Sequence, residues 1–201
     1  IIWLFHLSGI LGIIYGNSDW FVSATPINLI ISFILLILNT DLKLKVVSLI
    51  FFCFTIGMLA EILGVNYGLI FGNYKYGEVL GHKVLNVPVL IGVNWCILVL
   101  ITGAMSNLFF KNYWNKVFCG IILMLFMDVL IEPIAPILDF WNFEGGIAKL
   151  QNYLGWFFVS FPMLILFHKL KPKVNNSYSF NLYFLQVLFF TILIIKNNTF
   201  I

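Results

Sequence analysis

The sequence contains no arginine, and only 9% of its 201 residues are charged. A soluble domain of this length would carry charge on about a quarter of its residues. Hydrophobic residues make up 62% of the chain, and its mean hydropathy is +1.04. This composition excludes a water-soluble fold. The absence of arginine also argues against nucleic-acid binding and against any site that needs a bidentate clamp for phosphate or carboxylate.

Cysteine and histidine are also sparse. The three cysteines, Cys53, Cys96 and Cys119, lie in apolar runs without CxxC spacing, so neither a disulfide framework nor a metal site is expected. The three histidines are isolated in the sequence, whereas a di-iron desaturase or hydroxylase needs several His-rich boxes. Because the sequence also lacks a glycine-rich nucleotide loop, we expect no metal and no organic cofactor.

Apolar runs separated by polar, glycine or proline residues predict an all-α fold. We expect a polytopic membrane bundle of about seven transmembrane helices, in a single integral membrane domain over residues 1–201. The first run has no basic leader and no clear small-residue cleavage site, so we interpret it as a membrane helix and not as a signal peptide. The second run is short for a full crossing. The predicted helices cover residues 1–16, 26–38, 46–66, 88–108, 117–132, 152–168 and 180–195.

Lysines are concentrated in alternate connectors between the predicted helices. Because alternate connectors lie on the same side of a membrane, the positive-inside rule places the lysine-rich side in the cytoplasm. The N-terminus is then cytoplasmic and the C-terminus lies outside. The lysines of the second, fourth and sixth connectors are Lys43, Lys45, Lys111, Lys116, Lys169, Lys171 and Lys173.

Three carboxyl groups lie within the apolar runs or at their ends, namely those of Glu61, Asp128 and Glu132. Burying a charged side chain at membrane depth costs about 2.5–3.5 kcal/mol, so each of these residues needs a reason. Asp128 and Glu132 are four residues apart and therefore share one face of a helix. Pro133 follows directly and disfavours continuing the helix, which predicts that Glu132 lies at the helix end.

Amide and aromatic side chains lie at the same predicted membrane level. Asn94 and Trp95 begin the fourth helix, and Gln151 and Asn152 begin the sixth. Polar groups from four helices thus meet in the outer half of the bundle, as a buried site requires. A single amide in a membrane helix is often a hydrogen-bonded link between helices, and Glu132 can be solvated at the interface, so a structural role is the alternative for each residue.

Three longer segments resemble a known family. They are EILGVNYGLIFGNYKYGEVLGHKVLNVPVLIGVNW at 61–95, DVLIEPIAPILDFW at 128–141 and QNYLGWF at 151–157. They resemble the bacterial and archaeal carotenoid biosynthesis membrane protein family, which includes carotenoid 1',2'-hydratases of the gamma-carotene and bisanhydrobacterioruberin type. The resemblance extends from the third helix to the sixth, while the first two helices and the last match only as hydrophobic spans.

The resemblance implies an enzyme that adds water to the C1'–C2' double bond of an acyclic carotenoid end, giving a tertiary 1'-hydroxyl. This hydration needs protonation at C2', a tertiary cation at C1' and capture by water, and neither a metal nor an organic cofactor is obligatory. A carboxylic acid kept protonated in an apolar site would supply the proton. The candidate catalytic residues are Asp128, Glu61 and Glu132, and tryptophan or tyrosine faces would stabilise the cation.

The implied partners are a carotenoid within the lipid bilayer and other enzymes of carotenoid biosynthesis. We expect the protein in the bacterial inner membrane. The candidate substrate-binding residues are Asn66, Asn73, Tyr74, Asn94, Trp95, Asp139, Trp141, Gln151, Asn152 and Trp156.

Three other functions fit part of the same pattern. A carotenoid or isoprenoid cyclase would use the same protonation and cation, with ring closure in place of water capture. A small transporter would relay protons through Glu61 and Asp128, although the sequence has no inverted repeat that would support one. A carotenoid-binding protein without catalytic activity would leave the mass of its carotenoid unchanged.

Overall fold

The computed structural model of the protein describes residues 1–198, which form α-helices joined by connectors with four short strands. The helices are α1 (Ile2–Tyr15), α2 (Ser18–Ser23), α3 (Thr25–Leu38), α4 (Leu44–Tyr67), α5 (Val89–Phe109), α6 (Tyr113–Ile131), α7 (Leu150–Leu170) and α8 (Asn176–Asn198). The strands are β1 (Tyr74–Tyr76), β2 (Lys83–Val84), β3 (Val87–Pro88) and β4 (Trp141–Phe143).

Within residues 1–198, six helices are long and apolar enough to cross a membrane. One of them joins α2 and α3 into a single span, Ser18–Leu38, and the others are α4 to α8, while α1 is a shorter apolar helix. Counted in this way, all seven predicted helices are present. The predicted all-α, polytopic membrane fold is confirmed.

The second helix is longer than the predicted range 26–38. The Asn17 side chain accepts a hydrogen bond of 3.1 Å from the Trp20 backbone N–H, which caps a helical start at Ser18. The helix then continues through Ala24 into α3. An apolar run alone does not contain this start, because the Asn17 cap and the first two helical residues, Ser18 and Asp19, are polar.

Helix α5 is the centre of the bundle and packs against α3, α4, α6, α7 and α8. Small residues let the neighbouring helices approach it closely, as is common between membrane helices. A Cβ atom at Gly57 of α4 would lie 2.6 Å from the Trp95 ring of α5. Gly57 therefore leaves the space that the Trp95 indole occupies.

The lysine-bearing connectors meet at one end of the bundle. The backbone N–H of Asp41 donates to the Lys173 carbonyl at 2.9 Å, and Thr40 and Val174 form an antiparallel bridge. The fourth connector reaches the same end, where the Tyr113 hydroxyl donates to the Ile165 carbonyl near the end of α7. The structure thus places the three alternate connectors together, as the lysine pattern predicts.

The opposite end is covered by the two long connectors. Strands β1 and β4 pair in antiparallel register, with Tyr74 opposite Phe143 and Tyr76 opposite Trp141. Strands β2 and β3 form a hairpin whose two turn residues, Leu85 and Asn86, have φ values of 49° and 68°. This cap lies over the helix ends that hold the predicted carboxyl groups.

Candidate active site

Glu61 of α4 is buried and accepts hydrogen bonds at both carboxyl oxygens. The hydroxyl groups of Tyr74 and Tyr76 both donate to Oε2, the latter at 2.7 Å, and the Trp95 indole N–H donates to Oε1 at 3.0 Å. Residues i and i+2 of a strand project to the same side, so β1 presents both tyrosines to α4. Three donors from β1 and α5 thus hold Glu61 in place.

The two tyrosines lie in the connector, outside the membrane-spanning helices. Burial raises the pKa of both Tyr74 and Tyr76 above the usual value, and the nearby Glu61 carboxyl raises it further. Both phenols therefore stay protonated at neutral pH. They act as permanent hydrogen-bond donors to Glu61.

Asp128 and Glu132 form a second carboxyl group cluster at the end of α6. They are one helical turn apart and line the same cavity. Two adjacent carboxylates repel each other, so the pair favours a state in which the two carboxyls share one proton. Glu132 follows the last residue of the span, Ile131, and burial raises its pKa above the usual value.

Neighbouring side chains orient this carboxyl pair. Asn152 of α7 donates its amide N–H to Asp128 Oδ2 at 2.8 Å, and the Trp141 indole N–H of β4 donates to Glu132 Oε1 at 3.2 Å. Asp128 is only 1% exposed, and its Oδ1 atom accepts no hydrogen bond from any donor in the described residues. Oδ1 is therefore the carboxyl oxygen available to a shared proton or to a bound molecule.

Aromatic rings form one wall of the site. The Trp95 and Trp156 rings are stacked, with centroids 4.3 Å apart and planes inclined by 22°. Phe71 packs against both, at centroid distances of 6.3 and 6.4 Å. The faces of indole rings attract cations through their quadrupole.

A small cavity lies between the three carboxyl groups. Its volume of about 20 Å³ is enough for about one water molecule. Amides of Asn94 and Asn152 contribute to its lining, together with the aromatic wall. Polar partners for one water are thus available inside an otherwise apolar bundle.

A much larger cavity, of about 480 Å³, lies beside the small one. It lies among α1, α3, α5 and α8, and its lining is predominantly apolar. Ile91, Asn94 and Trp141 line both this cavity and the carboxyl site. Leu4 and Trp20 also line it and are 70% and 62% exposed, so the cavity opens toward the lipid-facing side of the bundle.

Most of the predicted site residues meet at the small cavity. All three predicted catalytic residues line it, together with six of the predicted substrate-binding residues. These nine are Glu61, Tyr74, Asn94, Trp95, Asp128, Glu132, Trp141, Asn152 and Trp156.

Four predicted substrate-binding residues lie elsewhere and connect loops. Asn66 bonds to the Leu85 carbonyl and to the Asn86 side chain, and Asp139 accepts from the backbone N–H groups of Glu78 and Val79. Asn73 donates to the Glu144 carboxylate, and Gln151 donates to the Gly68 carbonyl. The latter two line a separate pocket of about 90 Å³.

The prediction missed several residues of the site. Tyr76 donates to Glu61, and Phe71, Ile91 and Phe143 complete the lining of the small cavity. The alternation of Tyr74, Lys75 and Tyr76 would have indicated that both tyrosines share a face. Within residues 1–198, no group of three or more His, Cys, Asp or Glu side chains is arranged to hold a metal ion.

Fold and site define a polytopic helical membrane protein whose buried carboxyl groups line a small cavity beside a larger apolar one. Residues 22–201 match the family described as carotenoid biosynthesis protein, and the chain belongs to this family. The match also covers the second helix and the last one, beyond the segments that carry the resemblance in sequence. No curated protein and no solved structure matches the chain. Its membership of the carotenoid biosynthesis family gives the protein a role in carotenoid biosynthesis.

Proposed function

We propose that the protein is a hydratase that adds water to the C1'–C2' double bond of an acyclic carotenoid end. The observation that supports this most directly is that the small cavity lined by the carboxyl pair shares Ile91, Asn94 and Trp141 with an apolar cavity that opens toward lipid. An alkene that reaches from the apolar cavity past these shared residues would lie beside an acid, and little water would compete for the proton. The proposed substrate is gamma-carotene or a related carotenoid with an open ψ end.

The first step transfers a proton from the carboxyl pair to C2'. Asp128 is the proposed donor, because it is the more deeply buried member of the pair and, among the described residues, its Oδ1 has no hydrogen-bond donor. The π electrons of the double bond form the new C2'–H bond, which leaves a tertiary cation at C1'. Because the Asp128–Glu132 pair has lost one proton, its charge becomes more negative by one.

The second step is the capture of the cation. The faces of Trp95 and Trp156 stabilise the positive charge, and Glu61 lies on the same cavity. A water molecule held beside Asn94 and Asn152 attacks C1' through its oxygen. The oxonium formed returns a proton to the carboxyl pair, so the reaction consumes only water and needs no other reactant.

The carotenoid would reach the site from within the membrane. The exposed rim at Leu4 and Trp20 provides a lateral opening, so the substrate would not have to leave the bilayer. We place the protein in the bacterial inner membrane, with the lysine-rich end in the cytoplasm. Other enzymes of carotenoid biosynthesis would supply its substrate and use its product.

The proposal is tested by expressing the chain in cells that make lycopene or gamma-carotene and measuring the mass of the pigments. A hydratase adds the mass of one water, and growth in H₂¹⁸O labels the new hydroxyl. The Asp128→Asn variant is the matched control, since it removes the transferable proton with little change in size. Unchanged mass with a new ring would indicate a cyclase, unchanged pigment would indicate binding alone, and label from O₂ would contradict hydration.

A further inference from the structure

Two amide side chains in the large cavity lack hydrogen-bond partners. Asn28 of α3 and Gln186 of α8 both line the cavity, and their side-chain oxygens are buried without a partner in the described part of the chain. Most buried polar groups in folded proteins are hydrogen-bonded, because an unsatisfied one loses its contacts with water. Two such groups on one cavity therefore indicate a missing partner.

A third polar group lies on the same cavity. His6 of α1 is buried, and its Nδ1 is 2.8 Å from the Ile2 carbonyl oxygen. Because a carbonyl only accepts, Nδ1 carries the proton and a neutral ring keeps an acceptor at Nε2. The amides can accept or donate, so these polar groups of the cavity suit a ligand group that donates a hydrogen bond and can also accept one.

The surrounding residues restrict the chemistry of that group. No Lys, Arg, Asp or Glu occurs among the described residues that line the cavity, so a phosphate, carboxylate or ammonium group would have no counter-ion there. A plain hydrocarbon would leave both amides without partners. A hydroxyl group is neutral, small, and both donor and acceptor.

We propose that Asn28 and Gln186 form a subsite that binds a hydroxyl group on an isoprenoid chain in the cavity. The inference rests on the proposed function only for the isoprenoid class of the ligand. The subsite lies on α3 and α8, whereas the carboxyl groups lie on α4 and α6, so the two sites can be altered independently. Asn28 and Gln186 are then residues that determine specificity and take no part in proton transfer.

The experiment compares two acyclic carotenoids with the same chain, lycopene and its derivative with one tertiary hydroxyl at an end. Dissociation constants are measured with purified protein in detergent from the quenching of tryptophan fluorescence. All proteins also carry Asp128→Asn, so that neither ligand is consumed. The variants are Asn28→Leu and Gln186→Met, separately and together, and Leu29→Met is a control that alters the neighbouring apolar lining without changing its polarity.

We expect the protein with both amides to bind the hydroxylated chain about tenfold more tightly, as one or two hydrogen bonds would provide. The double variant should lose this preference and bind lycopene at least as tightly as before, and Leu29→Met should keep the preference. Thermal unfolding should show that the variants fold, because each replaces an unpartnered amide with an apolar side chain.

Equal binding of the two carotenoids by the protein with both amides would overturn the proposal and would indicate that the amides hold only a water molecule. A preference that survives in the double variant would also overturn it. Hydration by the chain with Asp128 intact is measured separately. A hydroxyl preference without hydration would contradict the proposed hydratase and support the subsite. Hydration without a hydroxyl preference would support the hydratase and contradict the subsite.

Discussion

The half of the bundle that carries the carboxyl groups, α4–α7 with their connectors, fixes most of its polar side chains with hydrogen bonds from several elements, and Asp128 Oδ1 is an exception. Glu61, for example, accepts hydrogen bonds from two tyrosines of β1 and from Trp95 of α5. The other half, α1–α3 and α8, instead lines most of a cavity that α5 completes, and it leaves two amide oxygens without partners among the described residues. The difference indicates that the two halves of the bundle have different roles. Proton transfer needs donors and acceptors fixed in advance, whereas a binding cavity receives its missing contacts from the ligand.

The largest effect should come from Asp128, in the half that carries the carboxyl groups, α4–α7, which we call the fixed half. Asp128→Asn keeps the size of the side chain and removes the transferable proton, so we expect hydration to fall by at least about 10²-fold. The amount of folded protein in the membrane should not change. The measurement is the rate of pigment hydration per amount of inserted protein.

Asp139→Asn is the matched control for that experiment. Asp139 is also an acid on the capped end, but its carboxyl accepts from the backbone N–H groups of Glu78 and Val79. An amide oxygen can accept the same bonds, so hydration should stay near its original rate. If Asp128→Asn hydrates normally, Asp128 is a link between helices, and Glu61→Gln and Glu132→Gln become the next variants to compare.

The second effect concerns the contribution of Glu61 to the free energy of unfolding. Glu61→Leu would leave two phenol hydroxyls and one indole N–H buried without an acceptor. At about 1 kcal/mol or more for each donor, we expect a loss of about 3 kcal/mol in the free energy of unfolding. Thermal or denaturant unfolding in detergent measures it, with the exposed Glu78 changed to Gln as control. A loss no larger than that of the control would contradict the role given to Glu61.

The third effect lies in the cavity half and should alter binding more than folding. Ser8 lines the cavity at an exposed position of α1, and Ser8→Phe would narrow the opening toward lipid. We expect the KM for the carotenoid to rise about fivefold with little change in kcat, as when binding common to ground and transition state is lost. Leu7→Phe is the control, because Leu7 is exposed and does not line the cavity. Equal effects of the two changes would argue against a lateral opening there.

Part of this division is readable in the sequence. The i, i+4 spacing of Asp128 and Glu132 places them on one face of a helix wherever that helix packs. The apolar runs also place Glu61 and Asn152 at the same membrane level, and the structure brings both to the small cavity. Helical periodicity and membrane thickness are enough for these predictions.

The remainder depends on contacts that no local pattern contains. Tyr76 donates to Glu61 from β1, whose partner strand β4 lies 65 residues further along the chain. The cavity forms where α1 and α8, from opposite ends of the sequence, pack beside α3 and α5. Asn28 and Gln186 therefore give no signal in the sequence beyond that of single amides in apolar helices.

The smallest effect should arise at the lysine-rich end, far from both the carboxyl groups and the cavity. Lys43 and Asp41 form an ion pair of 3.2 Å whose side chains are 61% and 43% exposed. Exposed pairs contribute about 0–1 kcal/mol, because solvent and salt screen the attraction and two side chains must be ordered. Lys43→Gln should therefore change the free energy of unfolding by less than about 0.5 kcal/mol and leave the rate of hydration unaltered. Unfolding and pigment analysis on the same preparation check both values. A marked loss of hydration with normal stability would contradict this prediction. It would mean that the lysine-rich end of the bundle is coupled to the carboxyl site at the opposite end.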